Sequence, residues 1–379
     1  MAEPIRSLAL ISSSAPSLTN FRGPLIAALV RAGVKVWALA PDLDADERAK
    51  VMALGAEPVD ISLDRAGMRP FRDLADYHRL TRVLRRLRPD ASFAYFIKPV
   101  IYGSLAARRA GVPRRFALMA GMGFVFTAGD GGGGLKRALL RRGVTQLYRR
   151  GLGACETVFF NNKDDLAQLA EAGLIDPARG VVTGGTGVDL TRFAAAPPVT
   201  GPLRFLMIAR LLREKGVAEF AAAARIVKAK HPEVEFHLAG EVDVNPGALS
   251  RDEVQAWQAE GLLIWHGQVA DVRPLIAESS VYVLPSWREG KPRSTQEAMA
   301  MARPVVTTDA VGCRDTVEEG VNGYKVPVRD PPALAGAMLR FVESPERIAP
   351  MGQASRAMAE AMFDVDRINA RILGAMGLG

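Results

Sequence analysis

Short apolar runs rich in β-branched residues alternate with amphipathic stretches from one end of this chain to the other. That alternation limits the folds open to it more than any other feature. The first half has such runs at residues 8–11, 34–39, 91–96, 116–119 and 158–160, with helical patterns at 24–32, 79–86 and 136–149. The second half restarts the rhythm with runs at 204–209, 234–239, 262–265, 281–284 and 305–307, and a helical pattern at 217–228. Strands this apolar, bounded by turn residues and followed by helices, predict parallel sheets covered on both faces. Between the halves, AAPPVTGP at 195–202 breaks both periods and suits a linker. The expectation is an α/β chain of two doubly wound domains facing across a cleft, one over 1–197 and one over 198–360, with a last helix within 361–379. Ligands of such domains sit beyond the carboxyl ends of the strands, so site residues should directly follow strands.

Composition narrows the class. The 379 residues suffice for two cores at roughly 150 residues per domain. Two cysteines, Cys155 and Cys313, are too few for a disulfide framework and fit a reducing compartment. The opening MAEPIRSLALISSS soon turns polar, unlike a signal peptide, and no run reaches the roughly 18 apolar residues of a spanning helix. The net charge of +8 is unevenly spread: residues 1–195 hold 28 Lys/Arg against 18 Asp/Glu, the remainder 21 against 23. Residues 79–150 alone carry 16 basic and 2 acidic side chains. One basic domain points to an anionic surface or ligand rather than to general solubility.

The most informative segment is LPSWREGKPRSTQEAMA, residues 284–300. A strand ends, a loop with Gly290 and Pro292 follows, and a helix opens near Arg293. Backbone N–H groups at such a helix start suit anionic or hydroxyl-rich groups. Glu289 and Glu297 stand eight apart, and Glu297 points back along the same helix end, where a carboxylate can accept two hydrogen bonds from a vicinal diol such as a ribose. Exposed helix-start charges are the plainer alternative, but the flanking strand, glycine and proline favour a ligand site. In FLMIARLLREKG, residues 205–216, Arg210 follows a strand and Lys215 comes five residues later. Two cations there can neutralise charge on a departing diphosphate; a solvated loop with Arg213 paired to Glu214 is the alternative. GGTGVDLTRF, residues 184–193, supplies glycines for sharp turns and Asp189 to cap the turn that follows.

Together, E-x7-E after a strand, ARLLREKG, and GxGVDxxxF before the linker resemble family 4 of the retaining nucleotide-sugar glycosyltransferases, which have the GT-B fold of two Rossmann-like domains. The resemblance runs over nearly the whole chain. NFRGPLIAAL, KPVIYGSLAARRAGVPRRFALMAGMGFVF and AGEVDVNP are similar to a subgroup acting on undecaprenyl-diphosphate-linked sugars. The resemblance implies a first domain for the acceptor, a second for a UDP-sugar donor, and a last helix returning to the first. It implies that Arg210 and Lys215 grip the donor diphosphate and that Glu289, with Gly290, Lys291 and Pro292, contacts the transferred sugar. Arg293 and Ser294 open the helix that carries Glu297, the ribose ligand. The implied reaction is a displacement with retention, free of metal and cofactor, in which the leaving phosphate oxygen takes the acceptor proton. It moves a sugar such as an N-acetylhexosamine to a polyprenyl-diphosphate-linked acceptor in bacterial glycan biosynthesis.

The chain departs from the family pattern in places. A histidine common after the fourth N-terminal strand is absent, and Tyr95-Phe96-Ile97-Lys98-Pro99 stands there, making Lys98 a candidate for phosphate or acceptor contact. Lys291, Thr295 and Gln296 replace residues that are usually apolar, which leaves the donor sugar open. The first loop reads SSSAPSLTNFRGP in place of a paired glycine, so Arg22 and the hydroxyls of Ser12–Ser14 are further acceptor-side candidates. Asp42, Asp44 and Asp46 imitate a metal motif but read as well as acids opening a helix. No metal site is expected.

KRALLRRGVTQLYRR, residues 136–150, is a basic amphipathic helix that follows Gly123-Phe124-Val125-Phe126 and the glycine run 129–134. Arg141 and Arg142 lie on it. Such a helix can rest on an anionic bilayer, and a solvated domain helix is the alternative. No nucleic-acid motif is present, so the cations are not read as a nucleic-acid face. The expected place is the cytoplasm, at the inner face of the plasma membrane. A nucleotide-sugar epimerase of the same fold and a non-catalytic membrane-surface binder are the rival readings.

Overall fold

A computed structural model describes residues 4–63, 70–121, 135–243, 245 and 247–379, with side chains for all of these except 135–141. The chain divides into two compact units: Met1–Thr186 with Asp366–Gly379, and Gly187–Val365.

The first unit is built on seven parallel strands: β1 (Ser7–Ile11), β2 (Lys35–Ala40), β3 (Glu57–Asp60), β4 (Ala91–Tyr95), β5 (Arg114–Met119), β6 (Thr157–Phe160) and β7 (Gly180–Val182). Their order is β3-β2-β1-β4-β5-β6-β7, so the chain reverses its direction of winding between β1 and β4. The central strands SLALI and ASFAY are buried almost throughout, which is why each reads as one continuous apolar run. The pattern gave no strand at β3, whose EPVD is polar and holds Pro58; at the edge of the sheet a proline costs no second ladder. The helix expected from residue 79 begins at Pro70, because its buried face starts with Asp73 and Asp76, which hide the apolar period. The helix expected over 136–149 spans Leu135–Gly153. Asp44 caps the helix Ala45–Ala53 through Glu47 N–H at 2.8 Å, so the acids there open a helix. From the C-terminal segment, Ile368, Ile372 and Met376 join the core around Leu8, Leu10 and Phe93.

The second unit repeats the plan with six parallel strands: β8 (Arg204–Ile208), β9 (Glu235–Ala239), β10 (Ile264–Trp265), β11 (Val281–Leu284), β12 (Val305–Thr308) and β13 (Gly323–Val326). The order β10-β9-β8-β11-β12-β13 puts the reversal between β8 and β11. The GGTGVDLTRF stretch is divided between the units. Val188 N–H donates to Phe363 O at 2.8 Å and Val188 O accepts from Val365 N–H at 3.1 Å, while Phe193 enters the second core. Asp189 accepts from Thr191 N–H and Arg192 N–H, both at 2.9 Å, capping the turn. The Pro-rich stretch 195–202 therefore lies inside the second unit. Both cysteines are free and buried.

Candidate active site

In an open α/β sheet a ligand meets the carboxyl ends of the strands at the point where winding reverses. In the second unit those ends are β8 and β11, and the sequence-expected residues follow both. After β8 the chain passes Arg210 and makes a tight turn over Arg213–Lys215, closed by Gly216. Gly216 has φ +77°, and a Cβ there would lie 2.1 Å from Pro285 O, so only glycine lets the two loops approach this closely. The approach brings Lys215 Nζ within 2.6 Å of Glu289 Oε1, both side chains about one-seventh exposed at 15% and 14%. From the other side, Gly312 presses on the Glu289 carbonyl; its added Cβ would stand 2.2 Å away. Glu289 N–H donates to Val311 O at 3.0 Å, fixing the loop.

Arg210 reaches Asp243 Oδ2 at 2.6 Å, with half its side chain exposed. Burial pushes the Asp243 carboxyl up, but Asn245 N–H and the Arg210 guanidinium outweigh it and hold the group below its ordinary range. Arg213 pairs with Glu253 at 2.7 Å, not with its neighbour Glu214. Beside Arg210 lies a cavity of about 360 Å3 whose wall includes Gly240, Asp243, Gln268 and Val269. Sequence reasoning named none of these four as site residues. The signal available was AGEVDVNP after β9, which contains both Gly240 and Asp243.

Pro292 precedes the helix Arg293–Ala300, fixing its entry. Arg293 Nε lies 2.9 Å from Glu297 Oε1, one turn on. Burial is the main force on Glu297 and raises its pKa above the ordinary glutamate value, against the pull of Arg293. Ser294 Oγ donates to Ile208 O at 3.1 Å and sits 2.6 Å from Tyr282 Oη, so it locks the helix start to the end of β8. Lys291 Nζ bonds Asp315 Oδ2 at 2.7 Å with its side chain nearly buried. The Lys291 ammonium is thus spent on a carboxylate; Gly290 beside it is partly exposed and Pro292 is buried. Thr295 and Gln296 are fully buried, and their side-chain polar atoms have no hydrogen-bond partner.

The acceptor-side candidates belong to the first unit. Lys98, just beyond β4, is buried and held by Asp73 Oδ1 at 2.7 Å, with Tyr102 Oη 3.5 Å from the other carboxylate oxygen. Burial, then the Asp73 charge, pushes the Tyr102 phenol up to about 12. Arg22 is buried and stacks its guanidinium 5.2 Å from the centre of the Tyr95 ring. Ser12 and Ser17 hydroxyls bond each other at 2.8 Å, and Ser17 bonds Tyr95 Oη at 2.9 Å, so this loop polarity is spent internally. Arg142 is exposed. The Arg141 side chain, residues 123–126 and the glycine run 129–134 lie outside the described residues. Among the described residues no group of three or more His, Cys, Asp or Glu can hold a metal ion, and no helix is long and apolar enough to cross a membrane.

Two doubly wound, Rossmann-like units are the plan of the GT-B fold. Residues 202–344 match the family model of group 1 glycosyltransferases, and residues 21–186 match that of the glycosyl transferase 4-like domain. The chain belongs to this family, family 4, and is a transferase rather than an epimerase or a non-catalytic binder. It is 28% identical over 329 residues to the Campylobacter jejuni N,N'-diacetylbacillosaminyl-diphospho-undecaprenol alpha-1,3-N-acetylgalactosaminyltransferase, covering 83% of this chain and 84% of the relative. The Escherichia coli UDP-Gal:alpha-D-GlcNAc-diphosphoundecaprenol alpha-1,3-galactosyltransferase is 25% identical, with 72% of this chain and 71% of the relative covered. Among solved structures, Anabaena Alr3699/HepE in complex with UDP and glucose superposes with a TM-score of 0.76 at 17% identity, over 99% of this chain and 100% of that one, a likeness of fold.

Proposed function

We propose that this glycosyltransferase moves a sugar from a UDP-sugar to a polyprenyl-diphosphate-linked acceptor, with retention and without a metal. The carrying observation is the partly exposed Lys215–Glu289 pair after the two central strands of the second unit. Two relatives that span most of the chain bear names specifying diphospho-undecaprenol-linked acceptors, and one of them a UDP-galactose donor. The second unit takes the donor. Its diphosphate draws Lys215 and Arg210 from their carboxylate partners, the nucleoside enters the cavity beside Arg210, and Glu297 accepts from the ribose hydroxyls. The bond from the sugar's anomeric carbon to the phosphate oxygen breaks on the face where the acceptor oxygen bonds that carbon. The acceptor proton passes to the departing phosphate oxygen. Catalysis then rests on positioning and on cations that stabilise the developing phosphate charge.

The first unit takes the acceptor, and Arg142 and Arg22 are its phosphate-side candidates there. We assign Lys98 a structural part through Asp73. Attachment to the inner membrane face fits the basic helix Leu135–Gly153 and also the helix Pro70–Leu87. On the latter, Phe71 is 91% exposed, and Leu74, Arg82, Arg85 and Arg86 are exposed as well. Apolar anchors beside cations suit an anionic interface. In vesicle co-sedimentation, binding should rise with anionic lipid and fall in a Phe71→Ser, Arg142→Gln variant; binding indifferent to lipid charge removes the membrane part of the proposal.

The reaction itself is tested by supplying a panel of radiolabelled UDP-sugars with a bacterial lipid extract. Transfer puts label in the lipid phase with release of UDP. A UDP-sugar that is epimerised, or left unchanged with every acceptor lipid, contradicts the reading.

A further inference from the structure

The second unit holds another cavity, of about 290 Å3, that shares no wall residue with the first. Its wall includes Pro197, Pro198, Arg303, Ile348, Ala349 and Gln353. Among the described residues lining it, Arg303 is the sole charged one, and it is 1% exposed. Its Nη2 donates to two neutral acceptors, Pro197 O at 2.8 Å and Ala277 O at 3.2 Å. Those bonds fix the guanidinium in place without neutralising it. No described carboxylate pairs with Arg303, and its buried Nε–H has no acceptor. Burial pulls its pKa down to about 10, which leaves it charged at neutral pH.

A buried cation without an anion, at the wall of a cavity, is expensive unless a ligand there carries the opposite charge. One guanidinium calls for one negative charge, and walls of proline, alanine and isoleucine call for an apolar body. We propose that this cavity binds a small aliphatic monocarboxylate. Its carboxylate accepts from the Arg303 guanidinium, the Gln353 amide can donate from the rim, and the short chain lies against Pro197, Pro198 and Ile348. The ligand then braces the Pro-rich stretch against the helix Ile348–Met362. This site stands apart from sugar transfer, so either reading can fail without the other.

Thermal melts of the full chain at constant ionic strength test it, comparing sodium butyrate, sodium chloride, sodium phosphate and neutral butyramide. With millimolar affinity, butyrate at about 10 mM should raise the midpoint on the order of 2 °C by mass action. Butyramide and chloride should not, and phosphate should do less than butyrate. Arg303→Met should abolish the butyrate response. If that variant fails to fold, Ala349→Phe, which fills the cavity and keeps the arginine, should abolish it instead. No butyrate response, an equal response to butyramide, a larger one to phosphate, or one that survives in a folded variant overturns the proposal.

Discussion

Each unit sets a lysine against a carboxylate just beyond a central strand, and the two pairs differ in what surrounds them. Lys215 and Glu289 in the second unit stand 2.6 Å apart with about one-seventh of each side chain still open. Lys98 and Asp73 in the first stand 2.7 Å apart with 9% and 5% open. The lengths are nearly equal, and exposure separates them. An incoming phosphate can reach the partly exposed Lys215 without undoing the packing around it. It reaches a buried pair only by undoing the packing that desolvated it. Exposure of the ion pair, rather than its length, therefore distinguishes the two lysines as ligand-site candidates.

The largest expected effect breaks the closed pair. Lys98→Met alone leaves Asp73 buried without its cation and should cost about 3–5 kcal/mol of stability in chemical denaturation. The double change Lys98→Met, Asp73→Leu should return stability to near the starting value and leave transfer intact. A stable double variant that has lost transfer would move Lys98 to the acceptor site and erase the contrast. Next comes the open pair. Lys215→Ala and Glu289→Ala should each lower kcat/KM by about 10²-fold or more, the scale of one lost transition-state contact, with denaturation midpoints little changed. Near-normal rates would show the open pair to be as structural as the closed one.

The smallest effect concerns Glu297, at the edge of the open site. Its folded pKa is raised, chiefly by burial. The folded chain therefore holds this proton more tightly than the unfolded chain does. The associated stability is fully present below the ordinary glutamate pKa and is lost as pH climbs through the raised value. Glu297→Gln should flatten the stability profile across that acid window. An unchanged slope would mean the carboxylate is solvated as an exposed helix-start charge would be.

Much of this was legible in the sequence, for identifiable reasons. The central strands were plain because burial on both faces makes them unbroken apolar runs; β3 was not, because an edge strand tolerates Pro58 and charges. Arg210, Lys215, Glu289 and Glu297 stand out as candidates because the motifs that hold them follow β8 and β11, in the loops or at the helix start beyond those strands. What the sequence withheld were the partnerships. Nothing local says that Lys291 is spent on Asp315 or Lys98 on Asp73, pairs separated by 24 and 25 residues. Asp73 and Asp76 also disguise the buried face of their helix, so the apolar period of Pro70–Leu87 shows only from about residue 79. Asp243 and the cavity beside it arise where β8 and β9 end side by side, an adjacency that pairing of the sheet creates.

The contrast between the two pairs is tested most directly by titrating UDP calorimetrically into three proteins: the unaltered chain, Lys215→Met, and the Lys98→Met, Asp73→Leu double variant. Loss of one charge-assisted contact predicts UDP binding weakened about tenfold or more in Lys215→Met. The double variant should bind as the unaltered chain does. UDP affinity untouched by Lys215→Met, or lost in the double variant, would contradict the account.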